Sequence, residues 1–388
     1  MWSVNVLLLT PVLKSIAADF STSDAVVGQL ATLHALATCV TALLITPWID
    51  RFGRGRLLRL GAGLLLAGSI CLALAPTFVW MFPARLMAGV GAAFIMPVCL
   101  AAAGDLFPDP RKRNQVVGLI LAATALAFVI GLPILAQIDA AFGWRWAVAA
   151  LIVPTIAIGG GSLWLPTQVI APATFSVHDY ARHYRHVLGN WETDWLLAGH
   201  VVRGVAWYSA LVYLGAYAVT SYGFDANRLS LLFVVIGGVF FVATNVMPLM
   251  TRLISPRQLF VASIVVLFVN FMCAGLIDDQ WGMFLFVIVL SMAGAGMTVA
   301  ESVLLLDSFP SARGGIMSLR SAGSEVSLAI GAAVAGLLLV LTNDYSTMYR
   351  LLGLALPLAV LTLALSRRKR REPEVAPLSP GTGEAPAS

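Results

Sequence analysis

Six ionisable side chains lie within long apolar runs of this 388-residue chain, where they are placed to carry protons or to bind a charged compound. They are Arg85, Arg203, Glu301, Glu325, His34 and His200. A charge in a membrane-spanning helix costs at least about 2.5–3.5 kcal/mol on insertion scales, so each side chain needs a compensating role. Burial disfavours the charged form of a carboxyl group, which lets it take a proton from one side of a membrane and release it to the other. Glu301 and Glu325 are therefore the candidates for proton coupling, and a cationic substrate would compete with that proton.

Each of these residues also has a structural interpretation. Either carboxylate could form an ion pair with Arg203 or Arg320 that only holds helices together. Arg85 could relay protonation or bind an anionic partner, or it could extend to a lipid headgroup or join two helices. A histidine titrates near neutrality, but a lone histidine in a membrane more often bonds a neighbouring hydroxyl or carbonyl group. The sequence leaves these alternatives open.

The composition requires a membrane around the elements that hold these side chains. Hydrophobic residues make up 59% of the chain and charged residues 11%, and the mean hydropathy is +0.89. Lipid can surround this much apolar surface if each span satisfies its own backbone hydrogen bonds, which favours helices of about 20 residues. The sequence predicts an all-α membrane protein with twelve transmembrane helices, at 2–17, 26–49, 57–75, 79–103, 115–138, 146–165, 195–219, 229–250, 258–277, 281–306, 315–341 and 348–366.

Lysine and arginine residues predict the orientation of these spans. Most of them lie in the connections that follow the even-numbered spans and in the C-terminal segment. The positive-inside rule places those segments in the cytoplasm, so both termini are expected there, in a multi-pass protein of the cell (inner) membrane. The first predicted span is short. This favours a true start codon upstream of Met1 over a short helix that crosses the membrane with little tilt.

Polar segments predict the domain boundaries. A first six-helix half at 1–166 and a second at 195–366 are separated by a cytoplasmic linker at 167–194, and the basic, Pro-rich tail at 367–388 is expected to be disordered. The linker holds His183 and His186, but no further ligand pattern accompanies this pair, and a solvated linker explains it. The four cysteines lie in apolar runs without CxxC spacing, as small buried side chains do. We predict no metal and no cofactor.

An internal repeat relates the two halves. The sequence Asp105-Leu106-Phe107-Pro108 recurs 202 residues later as Asp307-Ser308-Phe309-Pro310. The loop at Asp50-Arg51 has a counterpart at Thr251-Arg252, at an offset of 201 residues. Two loops with nearly the same offset predict two parallel, pseudo-symmetric halves related by an axis along the membrane normal.

Three motifs lie in the first half of the chain. The loop from Asp50 to Arg56 joins spans two and three with an aspartate, glycines and basic residues, and in the segment from Arg85 to Gly91 small residues follow a membrane arginine. Span five holds Gly118, Gly131 and Pro133. These motifs resemble those of the major facilitator superfamily, most closely its drug and sugar efflux antiporter branch. Thr46 stands where a glycine is usual in the first motif, and the antiporter motif of span five is matched in part.

This resemblance implies a secondary active transporter that works by alternating access, with proton-coupled efflux of a small molecule. It further implies a cytoplasmic gating cluster formed by Asp50, Arg51, Gly53, Arg54 and Asp105. The expected partners are a small-molecule substrate, protons and the lipid bilayer, with no nucleic acid, and the protein is expected to be a monomer. Proton-coupled uptake and a non-transporting sensor with a transporter fold remain as alternatives. The chain contains no HExxH, GxSxG or P-loop sequence, so no enzyme is predicted.

Overall fold

The computed structural model of the chain describes residues 4–5, 7–45, 53–107, 109, 111–112, 115–116, 119–120, 126–165, 188–251, 253–276, 279–308 and 313–366. Within these residues every regular element is a helix, so the predicted all-α class is confirmed. Most of the predicted linker and all of the predicted tail at 367–388 lie outside the described residues.

The helices are numbered here in chain order. They are α1 Leu9–Asp19, α2 Asp24–Ile45, α3 Arg54–Ala73, α4 Met81–Leu106, α5 Leu132–Phe142, α6 Trp144–Ala150, α7 Ile152–Gly161, α8 Trp191–Tyr222, α9 Ala226–Met250, α10 Pro256–Met272, α11 Gln280–Ser308, α12 Arg313–Thr342, α13 Tyr345–Gly353 and α14 Leu356–Leu365. A π-helical segment, Ala127–Gly131, leads directly into α5.

Each of the twelve predicted spans contains a described helix. Eight described segments are long and apolar enough to cross a membrane, and Ala127–Phe142 and Pro256–Met272 are shorter apolar helices. The two remaining spans are α1 and α8. Proline divides two of the predicted spans, because it lacks the N–H that would bond the carbonyl group four residues earlier. Pro154 leaves Ala150 O without this bond, and α6 ends at Ala150. Pro357 likewise leaves Gly353 O without it, and α13 ends at Gly353.

The helix α8 begins four residues before its predicted span and is 32 residues long. Its start is fixed by Asn190, whose side-chain oxygen accepts a hydrogen bond from Thr193 N at 3.1 Å. Glu192 and Asp194 lie in the first turn, where carboxylates favour the positive end of the helix dipole. The polar residues of α8 are therefore part of a regular helix that continues into the apolar interior of the bundle.

Equivalent helices pack in equivalent pairs in the two halves. In the first half α4 packs on α2 and α3, and in the second half α11 packs on α9 and α10. Likewise α1 packs on α5 as α8 packs on α12. Between the halves, α2 lies against α12, α5 lies against α9, and α1 meets α8. This arrangement is the expected one for two six-helix halves related by an axis along the membrane normal.

Small residues let α4 pack closely between α2 and α3. A Cβ added at Gly91 would lie 2.5 Å from Leu65 N and 2.7 Å from Gly61 O, both on α3. A Cβ at Gly89 would lie 2.4 Å from His34 O on α2. Both glycines belong to the predicted span-four motif, so this motif brings three helix backbones into contact.

Replacing Gly91 by Ala is expected to destabilise the protein by about 1–3 kcal/mol, because the added methyl group meets backbone atoms of α3 that cannot move aside. Gly63→Ala on α3 is the matched control, since nothing lies within 4 Å of a Cβ there. The free energy of unfolding in detergent micelles measures both effects. Equal stability of the two variants would contradict the close approach of α3 and α4.

Candidate functional site

A buried ion pair joins α8 to α11. Arg203 on α8 donates from Nε to Glu301 Oε2 on α11 at 2.5 Å, and its Nη2 contacts the same oxygen. Arg203 is 3% exposed and Glu301 is 1% exposed. The structure thus brings together two of the predicted site residues, in the ion pair that the structural interpretation describes.

His200 lies one turn before Arg203 and completes the surroundings of Glu301. Its Nδ1 is 2.6 Å from Glu301 Oε1, an ion-pair distance without the alignment of a hydrogen bond, and 3.0 Å from Arg203 Nη2. Its Nε2 is 3.0 Å from Ser324 Oγ on α12. A proton on Nδ1 would favour Glu301, whereas a lone pair there would accept from Arg203. The presence or absence of a proton on Nδ1 of His200, which depends on the tautomer, therefore decides which of the two side chains it binds.

Arg320 brings a second guanidinium group to this site from α12. It interacts electrostatically with Glu301 and Arg203, and its Nε is buried without a hydrogen-bond partner among the described residues. The hydroxyl of Ser324, one turn later, donates to Arg320 O at 3.2 Å. The sequence singled out Arg320 only as an ion-pair partner, although its spacing of four residues from Ser324 places both on one face of α12. We call His200, Arg203, Glu301 and Arg320 the buried charge cluster.

Glu325 lies outside this cluster, where α12 of the second half packs on α2 of the first. It is 8% exposed, and its Oε2 is buried without a hydrogen-bond partner among the described residues. It interacts electrostatically with Cys39 on α2 and with Tyr208 on α8. Cys39 Sγ donates to Ala322 O at 3.8 Å, which holds α2 against this turn of α12. Within the part of the chain that the structure describes, Glu325 has no salt bridge.

Arg85 and His34 form a buried polar site in the first half. Arg85 is 0% exposed and donates from Nε to Leu30 O at 3.4 Å and from Nη1 to Asn5 O and Oδ1, each at 3.3 Å. His34 interacts electrostatically with Arg85, and neither of its ring nitrogens has a partner among the described residues. Asn5 is not among the predicted site residues, because an uncharged amide in an apolar run gives little signal. Arg85 thus joins three helical segments and does not extend to a headgroup.

A small cavity lies beside Glu301. Its walls come from α8, α10, α11 and α14 and are apolar except for Glu301 and Thr362. Its volume is about 10 Å³, close to the roughly 10–15 Å³ that one water molecule requires. The cavity suits a single water molecule next to the carboxylate.

Polar contacts between the halves close the bundle at the end where α1 meets α2. Asp24 Oδ2 accepts a hydrogen bond from the Tyr345 hydroxyl of α13 and forms an ion pair with Lys14 Nζ at 2.9 Å. Gln137 Nε2 on α5 donates to Asn227 Oδ1 on α9 at 3.0 Å. Both contacts connect the first half to the second, so this end is shut in the conformation described.

A further ion pair at this end lies within the first half. Arg145 Nη1 donates to Asp19 Oδ2 at 2.5 Å, and Trp144 Nε1 donates to the same oxygen at 3.1 Å. The hydrogen bond from Arg145 is the main reason that the pKa of Asp19 lies below its ordinary value. The two charged side chains are 41% and 42% exposed, so this pair contrasts with the buried one between Arg203 and Glu301.

The predicted gating loop is described only from Gly53 onward. Gly53 has a φ of +68°, a backbone conformation that suits glycine, and its carbonyl accepts from Arg56 N at 3.2 Å at the start of α3. Arg54 is the first residue of that helix. Asp50, Arg51 and the side chain of Asp105 lie outside the described residues, so the gating cluster stays a prediction.

The described part of the span-five motif packs against both halves. A Cβ at Gly131 would lie 2.6 Å from Val4 Cγ2, and Pro133 O accepts a hydrogen bond from Ser230 Oγ on α9 at 3.3 Å. Pro133 lacks the N–H that would bond Val129 O, which explains the wider π-helical turn before it. Gly118 lies outside the described residues.

Metal ligands are not assembled in the described part of the chain. No group of three or more His, Cys, Asp or Glu side chains there could hold a metal ion. His183 and His186, the pair in the predicted linker, lie outside it.

Comparison with known proteins agrees with this fold. A family model described as the Major Facilitator Superfamily matches residues 2–269 and 245–387. The chloramphenicol efflux pump Rv0191 of Mycobacterium tuberculosis is 29% identical over 45% of this chain and 42% of its own length. Multidrug resistance protein 2 of Bacillus subtilis is 30% identical over 36% of this chain and 34% of its own length. The chain thus spans about a third to two fifths of the length of these relatives.

Two solved structures share the fold along nearly the whole chain. A bacterial homologue of the human lysosomal transporter Spinster, in an inward-facing and unoccupied conformation, has a TM-score of 0.72 at 15% identity and covers 94% of this chain and 93% of its own. A mutant of the nucleoside transporter NupG has a TM-score of 0.77 at 12% identity, with 95% and 97% covered. With the family model matched from end to end and twelve spans in two related halves, this multi-pass membrane protein belongs to the Major Facilitator Superfamily.

Proposed function

We propose that the chain is a secondary active transporter that exports a small molecule in exchange for protons by alternating access. The observation that carries this proposal is Glu325, a buried carboxyl group without a described cation partner at the contact of α2 with α12. A negative charge there is costly while the two helices are packed together, and protonation removes that cost. Proton binding therefore favours the closed contact and proton release favours its separation, which couples protonation to movement of the halves.

The closed end of the bundle supports alternating access. Asp24 with Tyr345, and Gln137 with Asn227, connect the halves at one end. Under the proposed orientation, with both termini in the cytoplasm, this end faces away from the cytoplasm. These contacts must separate for a compound to leave on that side.

We expect the protein to be a monomer in detergent, which light scattering measures.

Export is supported by the names of the relatives and by the partial antiporter motif. The curated relatives include a chloramphenicol efflux pump and a multidrug resistance protein. The motif residue Pro133 accepts a hydrogen bond from Ser230 on α9 in the contact between the halves, whereas Gly131 packs on Val4 within the first half. Export of a drug-like compound is therefore favoured over uptake.

Transport by purified protein in proteoliposomes tests the proposal. Chloramphenicol and ethidium serve as the first neutral and cationic probes, with a pH-sensitive dye inside the vesicles. Substrate movement opposite in direction to proton movement supports export by antiport. Movement of both in the same direction would support uptake, and proton movement that no compound changes would support a sensor.

The roles of the buried side chains follow from their partners. Because Glu301 is held by Arg203, we propose that this pair stabilises the second half and that Glu325 carries the coupling proton. Arg85 and His34 retain unpartnered nitrogen atoms among the described residues, so we propose them as a polar site for substrate or proton in the first half. His200 is proposed to link the buried charge cluster to α12 through Ser324.

The opposite end of the bundle is proposed to close through the gating cluster. Asp50 precedes Arg54 by four residues, and Asp105 lies in the last turn of α4, just before the neighbouring connection. Arg51 and the turn at Gly53 shape the loop between them. A charge contact there would hold the cytoplasmic end shut while the other end opens.

Replacing Asp50 by Asn is expected to favour the conformation that is open at the cytoplasmic end, because one partner of the charge contact is lost. Distances between spin labels across this end, measured by electron paramagnetic resonance, report the populations of the conformations that are open and closed there. Asp109→Asn is the control, since Asp109 is an exposed carboxylate in the next connection on the same side. An unchanged distance distribution in the Asp50 variant would remove this cluster from the gate.

A further inference from the structure

The buried charge cluster contains more positive charge than its carboxylate can balance. Arg203 and Arg320 each carry a positive charge, and Glu301 carries one negative charge. Glu301, the described carboxylate with which Arg320 interacts, is already bound by Arg203. Arg320 is partly buried, and a cation held there without a counter-charge is unfavourable, so a further anion is expected beside it.

Arg320 presents hydrogen-bond donors that no described residue uses. Its Nε is buried without a partner, while the side chain as a whole keeps part of its surface exposed. A guanidinium group offers a rigid fork of N–H donors that matches a carboxylate with two parallel hydrogen bonds. The unused Nε supplies one of the N–H groups that such a fork requires.

Two hydroxyl groups lie beside Arg320, and that of Tyr208 extends this donor set. Tyr208 on α8 interacts electrostatically with Arg320, and its hydroxyl group lies near Ser324. Ser324 is also bound to His200 Nε2 at 3.0 Å. Tyr208, Arg320 and Ser324 are all partly exposed, so this side of the cluster is open to a ligand, whereas Arg203 and Glu301 behind it are enclosed.

We propose that Arg320, with the hydroxyl group of Tyr208, binds the carboxylate group of a small organic anion that the protein transports. The proposal rests on the transport function proposed above and names a substrate class for it. The carboxylate supplies the missing negative charge at Arg320, and the enclosed pair of Arg203 and Glu301 keeps that charge from being neutralised within the protein. A neutral amide of the same shape lacks the charge and should bind weakly.

Ligand-induced stabilisation of the purified full-length protein tests this proposal. The probes are benzoate, its neutral isostere benzamide, and chloride at equal ionic strength, because a ligand that binds the folded state raises the melting temperature. We expect benzoate to raise the melting temperature, and benzamide and chloride to have little effect. Arg320→Gln should weaken the apparent benzoate affinity by at least about tenfold, since a hydrogen-bonded charge is lost.

Two further variants make the outcome decisive. Arg228→Gln removes an exposed arginine at the start of α9 and should leave the benzoate response unchanged. Glu301→Gln removes the negative charge behind Arg320 and so leaves the site more positive. Benzoate should therefore stabilise this variant more than the wild type, and this result does not depend on the folding of the Arg320 variant.

The proposal is overturned by an equal benzoate response in the wild type and in Arg320→Gln, or by an equal response to benzoate and benzamide. It is also overturned if chloride stabilises as much as benzoate, because the site would then bind inorganic anions only. Transport of chloramphenicol or ethidium against a proton gradient, together with no response to benzoate, would leave the proposed transport function standing and reject the carboxylate site alone.

Discussion

Arg203→Gln is expected to destabilise the protein by about 3–5 kcal/mol, because it leaves Glu301 as a buried charge without its main partner. The two side chains are 3% and 1% exposed, so bulk water cannot replace the lost interaction. Glu301→Gln should have an effect of similar size, since it leaves Arg203 uncompensated beside Arg320. The free energy of unfolding in mixed micelles measures both changes.

The double variant Arg203→Gln, Glu301→Gln separates a specific pair from general damage to the core. Removing both charges avoids the buried unpaired charge, so the double variant should be more stable than the sum of the two single effects predicts. The control is Arg145→Gln, whose partner Asp19 is 41% exposed; it should cost no more than about 1 kcal/mol. Simple additivity in the double variant would show that the pair is not coupled.

The pH dependence of the Arg145 control has a defined sign. Arg145 lowers the pKa of Asp19, so the stabilisation from this pair is present above the unfolded pKa of Asp19 and is lost as the pH falls through the lower folded value. The difference in the free energy of unfolding between wild type and Arg145→Gln should therefore shrink toward acidic pH. The pair is solvent-exposed, so the difference is small throughout.

Much of the fold could be predicted from sequence because apolar runs and charges report membrane spans directly. The twelve spans follow from runs of about 20 apolar residues. The small residues of the motif from Arg85 to Gly91 were recognised as well, and the structure places two of them where α4 contacts α2 and α3. The boundaries were less predictable. The helix α8 begins earlier than its apolar run, since a cap at Asn190 and two acidic residues fix its start. Prolines interrupt spans six and twelve where an apolar run continues.

The candidate site was harder to predict because helix rotation decides which side chains meet. The sequence allowed either Glu301 or Glu325 to pair with Arg203, and only the packing of α8 against α11 selects Glu301. Neighbouring residues of α12 also face different helices: Ser324 faces His200 on α8, whereas Glu325 faces α2. Asn5, which binds Arg85, has no charge to mark it. Which residues of two helices pair therefore depends on how the helices pack, and the spacing of residues along one helix does not reveal it.

Glu325→Gln is expected to abolish uphill transport while leaving downhill exchange intact. Glutamine keeps the shape of the protonated side chain but cannot release a proton, so the contact of α2 with α12 loses its dependence on proton binding. A gradient of one pH unit supplies about 1.4 kcal/mol per proton, which is a tenfold concentration ratio. Wild-type vesicles exchanging one proton per substrate should therefore approach a tenfold ratio, and vesicles with the variant should approach equal concentrations.

Substrate counterflow distinguishes loss of coupling from loss of transport. Counterflow requires only that the substrate-loaded protein alternate between its two conformations, so Glu325→Gln should exchange labelled for unlabelled compound without any pH gradient. Glu192→Gln, which removes a carboxylate that pairs with Arg257 at 2.6 Å near the start of α8, should retain both activities. If the Glu325 variant still reached the wild-type concentration ratio, another group would carry the proton. Because Arg203 already neutralises Glu301 in the closed bundle, that group would have to be sought around Arg85 and His34 in the first half.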